Sequence, residues 1–218
     1  MTRENTDELG RQQELQELDG RQELDGRRLR RIEGRALLFQ EAMRRYERGE
    51  PVELAAVAAA HGVGRTTAYR WFGTNDGLLA ELVLIRQDKN FTNARHRHAR
   101  KRGSARVVAT LMEFLDHASA SERFLKLLRR EPGRALAIAT SSRYPNQAAL
   151  IAMVQELLEE EHARGLETSM DAPTLAYTIV KLIDAFVYGA AAAGEPLETD
   201  RAREVFTKLL IADGQKGN

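Results

Sequence analysis

Every proline in the chain falls between segments whose apolar residues recur at three- and four-residue spacing, and none falls inside one. There are five: Pro51, Pro132, Pro145, Pro173 and Pro196. Proline breaks a helix interior but is accepted in a linker or a first helical turn, so these residues punctuate helices. Strand-like alternation is nearly absent between them. Leu37, Leu38, Ala42 and Tyr46 predict a first helix ending near Gly49, followed by a short alanine-rich helix over 51–60 and a third over 65–72. A long fourth helix runs from Asn75 to about Arg100, with Leu78, Leu79, Leu82 and Ile85 spaced for one buried face. Further helices are expected over 104–118, from Ser121 through SERFLKLLRRE, over 146–164, from Asp171 through Phe186, and from about Thr199. The reading is an all-α fold of about nine helices.

Composition narrows the function classes. With 218 residues, 43% of them hydrophobic, the chain can bury a sizeable core. It has no cysteine, which excludes thiolate zinc sites, iron–sulfur clusters and a cysteine nucleophile. No apolar run approaches the ~18–20 residues that cross a bilayer, and the first residues lack a signal-peptide core, so a cytoplasmic protein without membrane contact is expected. The net charge of +1 conceals an uneven distribution: −5 over 1–26, +10 over 27–106 and −4 over 107–218. A basic segment between acidic ends points to an anionic partner for that segment. Residues 1–26 repeat ELGRQ, ELDGRQ and ELDGRR, with one leucine per copy among charges and glycines. That is too little apolar surface to offset ordering, so 1–26 reads as a flexible acidic low-complexity tail.

Between Leu54 and Phe72 the spacing is that of a helix-turn-helix. Val57, Ala58, Val63, Ala68 and Trp71 supply an interior for two short helices. Ala58 is small enough for a close crossing, and Gly62 stands in the turn, where a positive φ is available to it. Placing Ala68, Trp71 and Phe72 inward turns Thr66, Thr67, Tyr69 and Arg70 outward, with Arg65 at the first turn. These are phosphate binders and base-edge readers, and no carboxylate stands among them. A solvated surface helix is the plain alternative.

The stretch GVGRTTAYRWFGTNDGLLAEL, residues 62–82, resembles the recognition helix and following turn of the TetR family of bacterial transcriptional regulators. Gly62, Val63, Arg65, Thr67, Tyr69, Arg70, Trp71, Phe72, Leu78 and Leu79 fit the family pattern. Three features depart from it: Gly64 replaces a capping serine, Asn75 replaces a lysine that commonly contacts phosphate, and the ERGEPVE join is short. The RWFG form and the short join are similar to the subgroup linked to degradation of quorum-sensing lactones. The resemblance implies a helix-turn-helix DNA-binding domain over 27–90 and a ligand-binding and dimerisation domain over 91–218. It also implies that Arg65, Thr66, Thr67 and Arg70 approach bases or nearby phosphates, that Tyr69 binds a phosphate, and that Thr74 and Asn75 touch the DNA backbone. Arg27, Arg28, Arg30, Arg31 and Arg35 are further phosphate candidates, or simply solvated.

A helix-turn-helix reads double-stranded operator DNA best as a two-fold pair. Leu182, Phe186, Ala190, Val205, Phe206 and Leu209 offer apolar stripes for a homodimer interface. Among the middle helices the resemblance implies a pocket for a small apolar or amphipathic effector, lactone- or acyl-chain-like. Candidate contacts are Met112, His117, Phe124, Leu128, Tyr144, Met153, Tyr177, Asp184 and Phe186, with His117 and Asp184 as polar orienting groups. No cofactor is expected. His96 and His98, two residues apart on a helix, make a poor metal clamp. No HExxH, phosphate loop or serine elbow appears, so an enzyme is not expected. The functional expectation is a ligand-responsive DNA-binding repressor. An all-helical small-molecule or lipid-binding protein with an incidental helix-turn-helix is the alternative.

Overall fold

A computed structural model describes residues 28–119, 122–190, 194–195 and 198–211, with backbone alone at 119 and 122–124. The acidic tail predicted over 1–26 lies outside the described residues. Among the described residues ten helices follow in chain order: α1 (28–48), α2 (Leu54–Ala60), α3 (Arg65–Phe72), α4 (Asn75–Arg97), α5 (Gly103–Ser119), α6 (Glu122–Arg130), α7 (Pro132–Thr140), α8 (Asn146–His162), α9 (Ala172–Asp184) and α10 (Thr199–Leu209). A π-turn over Ala185–Gly189 continues α9. No strand occurs among the described residues, and none of their helices is long and apolar enough to cross a membrane. The fold is all-α, with α7 and the π-turn beyond what periodicity indicated. Pro132 opens α7 in its first turn, and Ala135, Ile138 and Ala139 are its buried stripe.

Local chemistry sets the ends of these helices. Thr74 caps α4 by accepting from the Gly77 N–H at 2.9 Å, and Asp171 caps α9 by accepting from the Thr174 N–H at 2.8 Å. Arg95, His96 and Arg97 fill the last turn of α4, where positive charge favours the exposed carbonyls. α2 closes on Gly62 at φ 65°: the Val63 N–H reaches the Ala58 carbonyl at 3.0 Å and the Gly62 N–H reaches the Ala59 carbonyl at 3.2 Å.

Two hydrophobic cores share α4. One gathers Leu38, Ala42, Tyr46, Leu54, Val57, Ala58, Ala68, Phe72, Leu78, Leu79 and Leu82; the other begins at Phe91 and draws on α5 and α8 to α10. Ile138 of α7 belongs to the first, although it lies far along the chain. The buried stripe of α1 is Leu38, Ala42 and Tyr46 at four-residue spacing. Leu37 and Ile85, expected inside, are each 49% exposed because the four-residue rows of α1 and α4 carry them past the contact. At the far end, Arg106 is 5% exposed and Glu161 fully buried, 2.6 Å apart. Glu161 also accepts from the Gly103 N–H at 2.6 Å and from Arg164 at 2.7 Å. Arg95 joins Glu156 and Glu160, so the C-terminal parts of α4 and α8 and the start of α5 are tied together.

Candidate DNA-reading face and adjoining cavity

The short helix α3 stands on Ala68 and Phe72, both buried, with Trp71 and Tyr69 half-buried against the same core. That fixes which side faces out: Arg65, Thr66 and Arg70 are exposed and Thr67 is half-buried. Arg65 lies over the Tyr69 ring, 5.4 Å from its centroid, an arrangement that holds the phenol at the rim of the face. Neither Arg65 nor Arg70 pairs with a carboxylate among the described residues, whereas other basic groups nearby do. Arg35 gives two hydrogen bonds to Glu81, at 2.7 and 2.6 Å, and stacks over Phe72 at 4.7 Å, so it braces α1 against α4. Arg45 is held by Glu41 and Arg86 by Glu47. Arg28, Arg30 and Arg31 are exposed at the start of α1; Arg27 lies outside the described residues.

The joint between α3 and α4 is tight. A Cβ on Gly77 would come within 2.4 Å of the Phe72 carbonyl oxygen, so only glycine permits this approach. The Thr74 hydroxyl, exposed, accepts from Gly77 and keeps its own proton free to donate. Asn75 is occupied differently. Its Oδ1 accepts from the Leu54 N–H at 2.9 Å and its Nδ2 donates to Glu53 at 2.7 Å, capping α2. The Asn75 side chain is thus engaged with α2, and its backbone N–H at the start of α4 stays directed outward with the helix terminus. From the other side, Arg134 of α7 donates to Asp76 in the first turn of α4 at 2.6 Å, and Asn146 donates to the Ala80 carbonyl at 3.0 Å.

Behind this joint lies a cavity with about 680 Å³ of empty space, part of it open to solvent. Val83, Phe114, Leu150, Ile183 and Val187 form its apolar wall, and α4 adds Arg86, Gln87 and Asn90. Asp184, Gln147, Tyr46 and Tyr188 form a polar side. Burial pushes the Asp184 carboxyl up to about 6, against the lowering effect of a Gln147 hydrogen bond and the Lys181 charge. Burial likewise raises the Tyr188 phenol, with the charge of Asp184 adding to it. The π-turn sits directly after Asp184 and carries Val187 and Tyr188 toward the same space.

The predicted ligand contacts are scattered relative to this cavity. His117 and Asp184 line it. Met112 and Leu128 are buried in the second core, Met153 and Phe186 pack against that core, and Tyr144 packs against the first; none of these five lines the cavity. Tyr177 is 54% exposed, and the Phe124 side chain lies outside the described residues. Of the predicted interface residues, Leu182, Phe186, Ala190, Val205 and Leu209 are half-buried on α9, its continuation and α10. Phe206 is fully buried and packs edge-on to Phe186 at 6.2 Å, so it belongs to the interior of one chain. Tyr46 and Gln147 escaped sequence reasoning as cavity residues, since each also fits an ordinary helix stripe. Among the described residues no group of three or more His, Asp or Glu is placed to hold a metal ion.

Residues 102–211 match the family model described as tetracyclin repressor-like, C-terminal domain. A search of curated proteins gives no match. Among solved structures, the chain is similar to the R. erythropolis transcriptional repressor QsdR from the TetR family, at TM-score 0.74 and 21% identity over 85% of this chain and 98% of that one. It is also similar to the TetR family repressor AlkX from Dietzia sp., implicated in biodegradation of n-alkanes, at 0.54 and 20% over 81% and 97%. A third likeness is to the fatty acid degradation regulator FadR from Bacillus halodurans, at 0.53 and 13% over 83% and 99%. At these identities the likeness is one of fold.

Proposed function

The chain belongs to the TetR family, and on that premise we propose that it is a homodimeric, sequence-specific DNA-binding repressor that leaves its operator when a small amphipathic effector enters the cavity behind α4. The observation that carries this reading is the outer face of α3, where Arg65, Thr66 and Arg70 stand exposed, without carboxylate partners among the described residues, on a helix fixed by its aromatic underside. Arginine there can give two hydrogen bonds to guanine, and threonine can meet thymine methyls or phosphates. Tyr69 at the rim, the free Thr74 proton and the amides opening α4 suit flanking phosphates. A chain of this kind works in the cytoplasm, where its operator is, and performs no catalysis.

Two copies must present their α3 helices one helical turn of DNA apart, about 34–36 Å. The half-buried Leu182, Phe186, Ala190, Val205 and Leu209, together with exposed Tyr177, supply an apolar outer surface on α9 and α10 for that pairing. The cavity supplies the switch. Because α4 lines it with Val83, Arg86, Gln87 and Asn90 while its first turn adjoins α3, an effector that displaces α4 moves the reading helix. A coupling of about 1–3 kcal/mol changes operator affinity roughly 5–150-fold. The apolar wall fits the hydrocarbon chain of an acyl-chain-like molecule.

Selection from a random duplex pool, followed by titration of the enriched duplex, tests the reading. Arg70→Ala is expected to weaken binding of that duplex by about 5–150-fold, the range of one bidentate base contact, with dimer and helicity unchanged. Log affinity should fall steeply with log salt. No enriched duplex, or one bound equally by the Arg70→Ala variant and without salt dependence, would overturn it and favour a helical small-molecule-binding protein.

A further inference from the structure

The polar side of the cavity is more specific than an apolar pocket requires. Asp184 Oδ2 accepts from Gln147 Nε2 at 2.6 Å, and Gln147 Oε1 accepts from Lys181 Nζ at 2.8 Å. The ammonium fixes the amide: with its oxygen turned to Lys181, Gln147 can offer Asp184 only its NH2 group. Asp184 is thereby held as an acceptor. Its second oxygen takes no hydrogen bond among the described residues.

The charges around it decide what suits that oxygen. Arg86, the cation on the α4 side, is paired with Glu47 at 3.2 Å. His117, at the exposed mouth, is tied through Nδ1 to the Glu113 carbonyl at 2.8 Å. Lys181 makes no direct hydrogen bond to Asp184: it donates to Gln147, acts on the carboxylate through space, and its ammonium also lies 5.3 Å from the Tyr177 ring centroid. The second oxygen of Asp184 is the acceptor left without a hydrogen bond among the described residues. At that oxygen an anionic head group would meet like charge, and an ester would offer lone pairs to lone pairs; the Tyr46 and Tyr188 phenols and the Asn90 amide lie elsewhere on the lining.

We propose that the effector carries a nitrogen hydrogen-bond donor, an amide N–H or a protonated amine, seated on Asp184, with an apolar chain along Val83, Phe114, Leu150, Ile183 and Val187. This rests on the reading of the cavity as the effector site. The upward shift of the Asp184 carboxyl agrees with it, since an N–H donor restores to the charged form what burial removes.

Calorimetric titration of the full-length protein with octylamine, N-octylacetamide, octyl acetate and octanoate tests the chemistry with one chain length. Amine and amide should bind at least about tenfold tighter than ester and carboxylate, the equivalent of about 1.4 kcal/mol. In Asp184→Asn the preference should collapse or invert, because Gln147 still donates and forces the new amide to turn its own NH2 into the cavity. Ester or octanoate binding as tightly as the nitrogen compounds, no binding by any of the four, or an unchanged ranking in Asp184→Asn overturns the proposal. The ranking in the unmodified protein decides the matter even if the variant is unstable. Failure of the repressor reading would look different: the nitrogen compounds would bind in the expected order yet leave duplex affinity unchanged.

Discussion

At the scale of single residues, polar side chains of one type divide between outward and internal work. Arg70 and Arg35 both belong to the basic segment, yet Arg70 is exposed with no carboxylate partner among the described residues and Arg35 is spent on Glu81 and Phe72. Sequence spacing could place Arg70 outward because its neighbours Ala68 and Phe72 define the buried side of α3. It could not reveal Glu81, 46 positions away, as the partner of Arg35. Asn75 shows the same limit. Because Asn75 caps α2, Asn75→Ala should cost about 1 kcal/mol, the usual value for a lost cap, lowering the melting temperature by roughly 2–4 °C. Asp184 gives a pH signature. Its folded-state carboxyl, raised to about 6, holds a proton more tightly than in the unfolded chain, so its contribution to stability falls as pH rises from about 4 toward 6. Asp184→Asn should therefore melt a few degrees above the unmodified protein at neutral pH, and differential scanning calorimetry should find the difference gone near pH 4.

At the scale of elements, α4 is the member on which everything else acts. Gly77 sets how closely its first turn approaches the end of α3. Gly77→Ala gains up to about 1 kcal/mol of helix propensity but forces a Cβ against the Phe72 carbonyl, and overpacking of that kind costs about 1–3 kcal/mol. The expected net effect is a lower melting temperature, with duplex affinity reduced more than helicity, measured by circular dichroism and fluorescence anisotropy together. The short helix α7 grips α4 from the opposite side through Ile138 and Arg134. Ile138→Ala, a large-to-small change at a fully enclosed site, should cost about 2–5 kcal/mol in denaturant unfolding. Helix α7 is hard to read from sequence because its nine residues open on Pro132 and Gly133 and place alanine at every second position after that, which carries little 3.6-residue periodicity. Pro132 in its first turn, with Ala135, Ile138 and Ala139 behind it, is the signal that was present.

At the scale of the whole molecule, the two cores are joined along α4 and clamped at the far end by the buried Arg106–Glu161 pair. Burial pushes Glu161 up, but hydrogen bonds from Arg106, Arg164 and the Gly103 N–H outweigh it and hold the carboxyl below its ordinary range. Stability from this group is present above the ordinary glutamate range and is lost as pH falls through and below it. Glu161→Gln, which leaves Arg106 only Glu160 at 3.0 Å as a counter-charge, should destabilise by about 1–3 kcal/mol and flatten the acid limb of the unfolding curve. What the sequence determined by itself was the local part: proline positions and three-to-four spacing impose helices, and the aromatic underside of residues 65–72 leaves only one side for arginine and threonine. These depend on neighbours within one or two helical turns. Tertiary structure decided which faces were covered and by what. Phe206 went inside, Tyr177 stayed out, and Asp184, Gln147 and Phe114 met around one cavity, because periodicity gives a helix a buried side without naming the helix that buries it.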